Sequence, residues 1–88
     1  MNKTEVRNTL EQLRGEIDQL KFREPKSRER VQQLISAIER QLENSDDAAH
    51  ERIVNQDLAG AIELFEVEHP RLTATLNQIA TALSTMGI

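Results

Sequence analysis

Eighty-eight residues carry a net charge of −4, with 30% charged and 38% hydrophobic side chains and no cysteine. That is one small domain, residues 1–88, and it excludes disulfides and thiolate metal sites. No run approaches the ~18 apolar residues of a membrane span, and MNKTEVRNTLEQ holds no signal-peptide core, so a soluble cytoplasmic protein is expected.

Two Phe, without Trp or Tyr, leave the core to Leu, Ile, Val and Ala. Ordering a chain costs about 1.5 kcal/mol per residue, so a core this small yields little surplus and a homodimer is the default expectation. Charge is unevenly placed. Residues 1–30 hold eight basic and six acidic side chains, residues 31–68 hold two basic and nine acidic ones, and Arg71 is the last charge. The asymmetry favours pairing of the first and middle segments and disfavours a polyanion as partner of the whole molecule.

The first helix is expected from Asn2 or Thr4 to Phe22, with Asn2 and Glu5 as a capping box. Val6, Leu10, Leu13, Ile17 and Leu20 step by 4, 3, 4 and 3, the seam of helices packed at a shallow angle. Arg7 with Glu11 and Arg14 with Asp18 have the spacing of exposed ion pairs. Gly15 lies off the stripe, where it marks either close approach of a neighbour or simple tolerance.

Arg23-Glu24-Pro25 reads as a turn, because proline stops one helix and suits the first position of the next. The second helix then runs to Glu43 with Val31, Leu34, Ile35, Ile38 and Leu42 inward, and the short link makes an antiparallel hairpin. In the next turn Asn44 suits a left-handed C-terminal residue, and Ser45 or Asp46 suits the cap of the third helix. That helix starts near Ala48 with Val54, Leu58, Ala61, Ile62 and Phe65 as its stripe. Gly60 between alanines invites close approach of another helix.

Pro70 sets two expectations against each other. Proline removes a helical hydrogen bond and disfavours helical geometry at His69. Yet no Gly, Asn, Asp or Ser lies between Ala61 and Leu76, and Phe65, His69, Leu72 and Leu76 stay in phase. The sequence favours one long helix kinked at Pro70 over two helices meeting at a corner. The fold class is therefore all-α: a helical hairpin plus a long C-terminal segment kinked or broken at Pro70, three to four helices in all.

Beyond Arg71 that segment has no charged side chain. Leu72, Leu76, Ile79, Leu83 and Met86 repeat the 4-3-4-3 stripe and need a partner surface, so they are the expected interface. Thr73, Asn77, Ala80 and Ser84 form a small uncharged second flank. Gly87 suits a left-handed stop, with Ile88 returning against Leu83.

The run from Phe65 to Ile88 resembles a family of small bacterial proteins, the domain-of-unknown-function family four-four-zero-four. Phe65-Glu66, His69-Pro70, Leu72 and Met86-Gly87-Ile88 carry the likeness. The resemblance implies a small helical bacterial protein of unassigned activity, and brings no catalytic residue, cofactor or partner with it.

Chemistry has little to stand on. Glu66-x-x-His69 has metal-ligand spacing and Asp47-x-x-His50 echoes it, but a di-metal carboxylate site needs further inward acids that the first two stripes lack. His69 is expected to pack at the bend, and no metal or cofactor is expected. Ser27, Ser36, Ser45 and Ser84 have no histidine at helical spacing, and the three glycines form no phosphate loop. An enzyme is not expected. The basic cluster Lys21, Arg23, Lys26, Arg28 and Arg30 supplies the alternative function, an electrostatic nucleic-acid binder through residues 21–30, though only Phe22 is interleaved. The leading expectation is a protein–protein interaction or oligomerisation module, paired with itself or with another helical protein.

Overall fold

A computed structural model of the chain describes residues 2–87. Among them lie four helices and no strand: α1 (Lys3–Gln19), α2 (Pro25–Glu43), α3 (Ala48–Phe65) and α4 (Pro70–Met86). Their apolar stripes meet in one core. Val6, Leu10, Leu13 and Ile17 come from α1, Val31, Leu34, Ile35, Ile38 and Leu42 from α2, and Val54, Leu58, Ala61 and Phe65 from α3. The α4 stripe closes it.

The helices form a ring in which α1 packs on α2, α2 on α3, α3 on α4, and α4 back on α1. Links 20–24, 44–47 and 66–69 are so short that successive helices run antiparallel. The closing pair is antiparallel too. The Thr75 hydroxyl, early in α4, lies 3.4 Å from the Glu16 carboxylate late in α1, while Leu72 and Leu20 line one cleft a turn further along. This up-down-up-down order puts the α1–α2 and α3–α4 links at one end of the bundle. The α2–α3 link lies at the other, with the start of α1 and the end of α4.

Local rules explain most boundaries. Asn2 Oδ1 accepts from the Glu5 amide at 2.9 Å and starts α1. That helix stops at Gln19, three residues short of the expected Phe22, and Leu20 is extended at φ −80, ψ 144. Arg28 takes the place of the missing turn, its Nη2 donating to the Leu20 carbonyl at 2.8 Å. Gly15 has nothing within 4 Å of the position a Cβ would take, so it is tolerated and not required for close approach. Arg14 bonds Glu11 at 3.0 Å and reaches across to Glu39 on α2; Asp18 lies instead beside Arg28, at 3.9 Å.

At the second link Asn44 is not left-handed, with φ −125, and its side-chain amide turns back to the Arg40 carbonyl at 3.3 Å. Asp47 caps α3, accepting from the His50 amide at 3.1 Å, where Ser45 or Asp46 was the expected cap. The cap falls later because the turn needs Asp47 N–H on the Asn44 carbonyl, at 3.1 Å, before the helix begins. At Gly60 the close neighbour is a side chain: a Cβ there would meet Arg30 Nη2 at 2.9 Å.

Pro70 breaks the helix, which corrects the kinked long helix. Residues 66–69 make the corner, His69 sits at φ −133, ψ 67, and Pro70 opens α4 as its first residue. The His69 amide closes α3 on the Phe65 carbonyl at 2.8 Å, and the His69 carbonyl accepts the first α4 bond, from Thr73, at 3.0 Å. The stripe stays in phase across the corner because both arms face the same core; phase alone does not separate a kink from a reversal. Gly87 closes α4 in the left-handed region at φ 75, its amide on Leu83 and Ser84. Ile88 and its expected contact lie outside the described residues.

Candidate interaction surfaces

The stripe singled out on α4 is filled by the chain's own helices. Leu72, Leu76, Ile79 and Leu83 are fully buried, and Met86 is half-buried against the same core. Such a stripe needs cover, and α1 and α3 provide it; Leu72, Leu76, Ile79 and Leu83 are closed to a second molecule, and Met86 is open only in part. The expected flank divides as well. Thr73 is buried, its hydroxyl on the His69 carbonyl at 3.0 Å, and Ala80 is half-buried, whereas Asn77 and Ser84 face outward.

What α4 leaves open is its outer face. Ala74, Gln78, Thr81 and Thr85 are exposed and step by 4, 3 and 4, the core spacing turned to the far side of the helix. With Asn77 and Ala82 they line a shallow groove of about 400 Å³. No charged side chain follows Arg71 on this helix, so the whole face is uncharged. Sequence reasoning passed over it because none of the four is apolar enough to register as a stripe. The usable signal was the same step pattern in small and amide side chains.

The basic cluster is partly committed to the fold. Arg23 pairs with Glu68 at 3.1 Å, and Arg28 holds Leu20, stands by Asp18 and lies over the Phe22 ring at 5.6 Å. Arg30 lies against Gly60 and shares a groove of about 350 Å³ with Gln33, Leu34 and Asp57. Lys21 and Lys26 are exposed. Phe22 is not interleaved as a stacking platform. It packs on Phe65 edge to face at 5.6 Å and on His69 at 5.0 Å, and Phe65 meets His69 at 6.0 Å. The three rings join the α1–α2 and α3–α4 links.

The acid–histidine pairs are engaged otherwise. Glu66 and His69 lie in the corner after α3, so the i, i+3 spacing does not place them on one helix face. Asp47 caps His50, whose Nε2 lies 3.0 Å from the Ala37 carbonyl and fastens α3 to α2. Among the described residues no group of three His, Asp or Glu side chains is arranged to hold a metal ion. The hydrogen bond from Arg14 holds the Glu39 carboxyl below its ordinary range, against the opposing effect of burial, and the same bond raises Arg14.

No helix of the described residues is long and apolar enough to cross a membrane. The family model described as Domain of unknown function (DUF4404) matches residues 6–88, and the chain belongs to that family. No curated protein and no solved structure matches it.

Proposed function

We propose that this family member is a cytoplasmic association module that works by binding and not by catalysis. Its docking surface is the outer face of α4, and its partner is a second copy of the chain. The carrying observation is that exposed face, running from Ala74 to Thr85 without a charge on a chain where 30% of residues are charged. A two-fold contact sets one surface against itself. A charged face would bring like charges together there, and this face brings none.

The same logic sets the direction. Arg71 lies one turn before Ala74 on α4. In a parallel pair it would face its own copy, whereas in an antiparallel pair it lies near Thr85 of the second molecule and the helix dipoles oppose. The face is small. The twelve residues from Ala74 to Thr85, at ~1.5 Å each, give a contact ~18 Å long and roughly 200 Å² on each side. A stable interface buries about 800 Å² per partner, so the dimer is weak and concentration-dependent. A nucleic-acid role through residues 21–30 has less support, because Arg23 and Arg28 already serve the fold.

Sedimentation equilibrium between roughly 10 μM and 1 mM tests this, the range where an interface of this size dissociates. The mass should rise from 10.0 kDa towards twice that value, with little dependence on salt. Thr81→Glu should stay monomeric with unchanged helix content. A chain that remains monomeric at the top of the range, or a Thr81→Glu variant that dimerises like the parent, overturns the proposal.

A further inference from the structure

Gln41 is fully enclosed in the core, and neither its Oε1 nor its Nε2 has a hydrogen-bond partner. The other buried polar side chains differ. Thr73 and Thr75 donate to the carbonyls four residues back, at 3.0 and 3.1 Å. A buried amide without partners penalises the closed state, and the penalty is relieved when the amide reaches water.

Its position gives that penalty a direction. Gln41 lies one turn beyond Ala37, whose carbonyl meets His50 of α3, so it sits on the α2–α3 seam just before link 44–47. The opposite end of the bundle is fastened across both of its links by the Phe22–Phe65–His69 cluster, and Arg28 on Leu20 closes the first of them. We infer that Gln41 is a built-in opening point: the α2–α3 corner unfastens while the aromatic end stays closed. The last turns of α2 and the first turns of α3 then come away from the core at that corner, and Leu42 and Val54 are the core residues next to it.

Native-state hydrogen exchange on the whole chain tests this against the substitutions Gln41→Leu and Gln41→Met. In the parent, amides of residues 38–43 and 52–55 should exchange through an opening at least ~10-fold more populated than that for residues 28–31, 62–65 and 73–76. Removing the amide should slow exchange at the corner by about the same factor and change the aromatic end much less. Gln41→Met keeps the unbranched shape, so it carries the test if the leucine variant folds poorly. Three results overturn the inference. One is equal protection of both ends in the parent. The second is unchanged or faster exchange at the corner in the methionine variant. The third is an equal gain at both ends, which means a more stable bundle with no opening point.

Discussion

The two ends of this bundle are fastened by different chemistry. At one, three rings pack together, Phe22 and His69 from the two links and Phe65 from the end of α3, with Arg28 laid over Phe22. At the other, the fastenings are an Asp47 cap and a His50 contact with the Ala37 carbonyl, beside a buried Gln41 whose amide has no partner. Ring contacts tie elements distant in sequence, whereas a cap and a link tie only neighbours. A bundle built this way has a hinge side and an opening side, although its core is continuous between them.

The largest expected effect removes the comparison itself. Leu76 is fully buried in the middle of α4, and Leu76→Asp leaves a charge in the core that nothing compensates. Circular dichroism should show the helices lost at both ends together. Phe65→Ala attacks the clamp alone. It removes a ring that is only 4% exposed, at about 3–5 kcal/mol, and should lower the urea midpoint sharply. Exchange at residues 17–30 and 63–74 should then become as fast as at the opposite corner.

Arg28 is the finer probe of the same end. Arg28→Met keeps the stem of the side chain and loses both the bond to Leu20 and the contact over Phe22. About 1–2 kcal/mol should be lost in urea denaturation, with helix content little changed. Asp47→Ala at the opposite end removes only a cap and should cost about 1 kcal/mol. If Asp47→Ala costs more than Arg28→Met, the assignment of strong and weak ends is reversed. Gly15→Ala belongs to neither end. With open space at its Cβ position it should stabilise the bundle by up to ~1 kcal/mol, a control for general tightening.

The sequence made the core legible and the corners less so. Periodicity locates residues that face inward, and every aliphatic residue named for the α1 and α2 stripes up to Leu42 is buried except Leu20. Leu20 is half-buried because α1 has already ended at Gln19 and its own backbone is extended, with the Arg28 guanidinium on its carbonyl, and no pattern of apolar spacing reports such a bond. The corner at Pro70 was visible as a conflict, since the same inward phase serves a kink and a reversal. Gln41 escaped notice because a glutamine on a helix reads as solvated until the neighbouring helix is in place. On α4 the apolar stripe announced a need for cover. It did not say that the cover lay within the same chain, where α1 and α3 bury Leu72, Leu76, Ile79 and Leu83.

The smallest expected effect lies midway between the ends, on the α1–α2 seam. Arg14 bonds Glu39 through both of its terminal nitrogens, with a 3.2 Å contact from Nη1, and both side chains are 39% exposed. The bond holds the Glu39 carboxyl below its ordinary range, so folding favours the ionised form. Its contribution is therefore present above the unfolded pKa of about 4.3 and is lost as pH falls through the lowered folded value. Solvent screening limits it to a few tenths of a kcal/mol. Glu39→Gln should flatten the acid limb of a stability–pH curve by that amount below about pH 4.5 and leave the difference in protection between the two ends untouched. A change in that difference would mean the seam transmits between hinge side and opening side, and that the two ends are not independent.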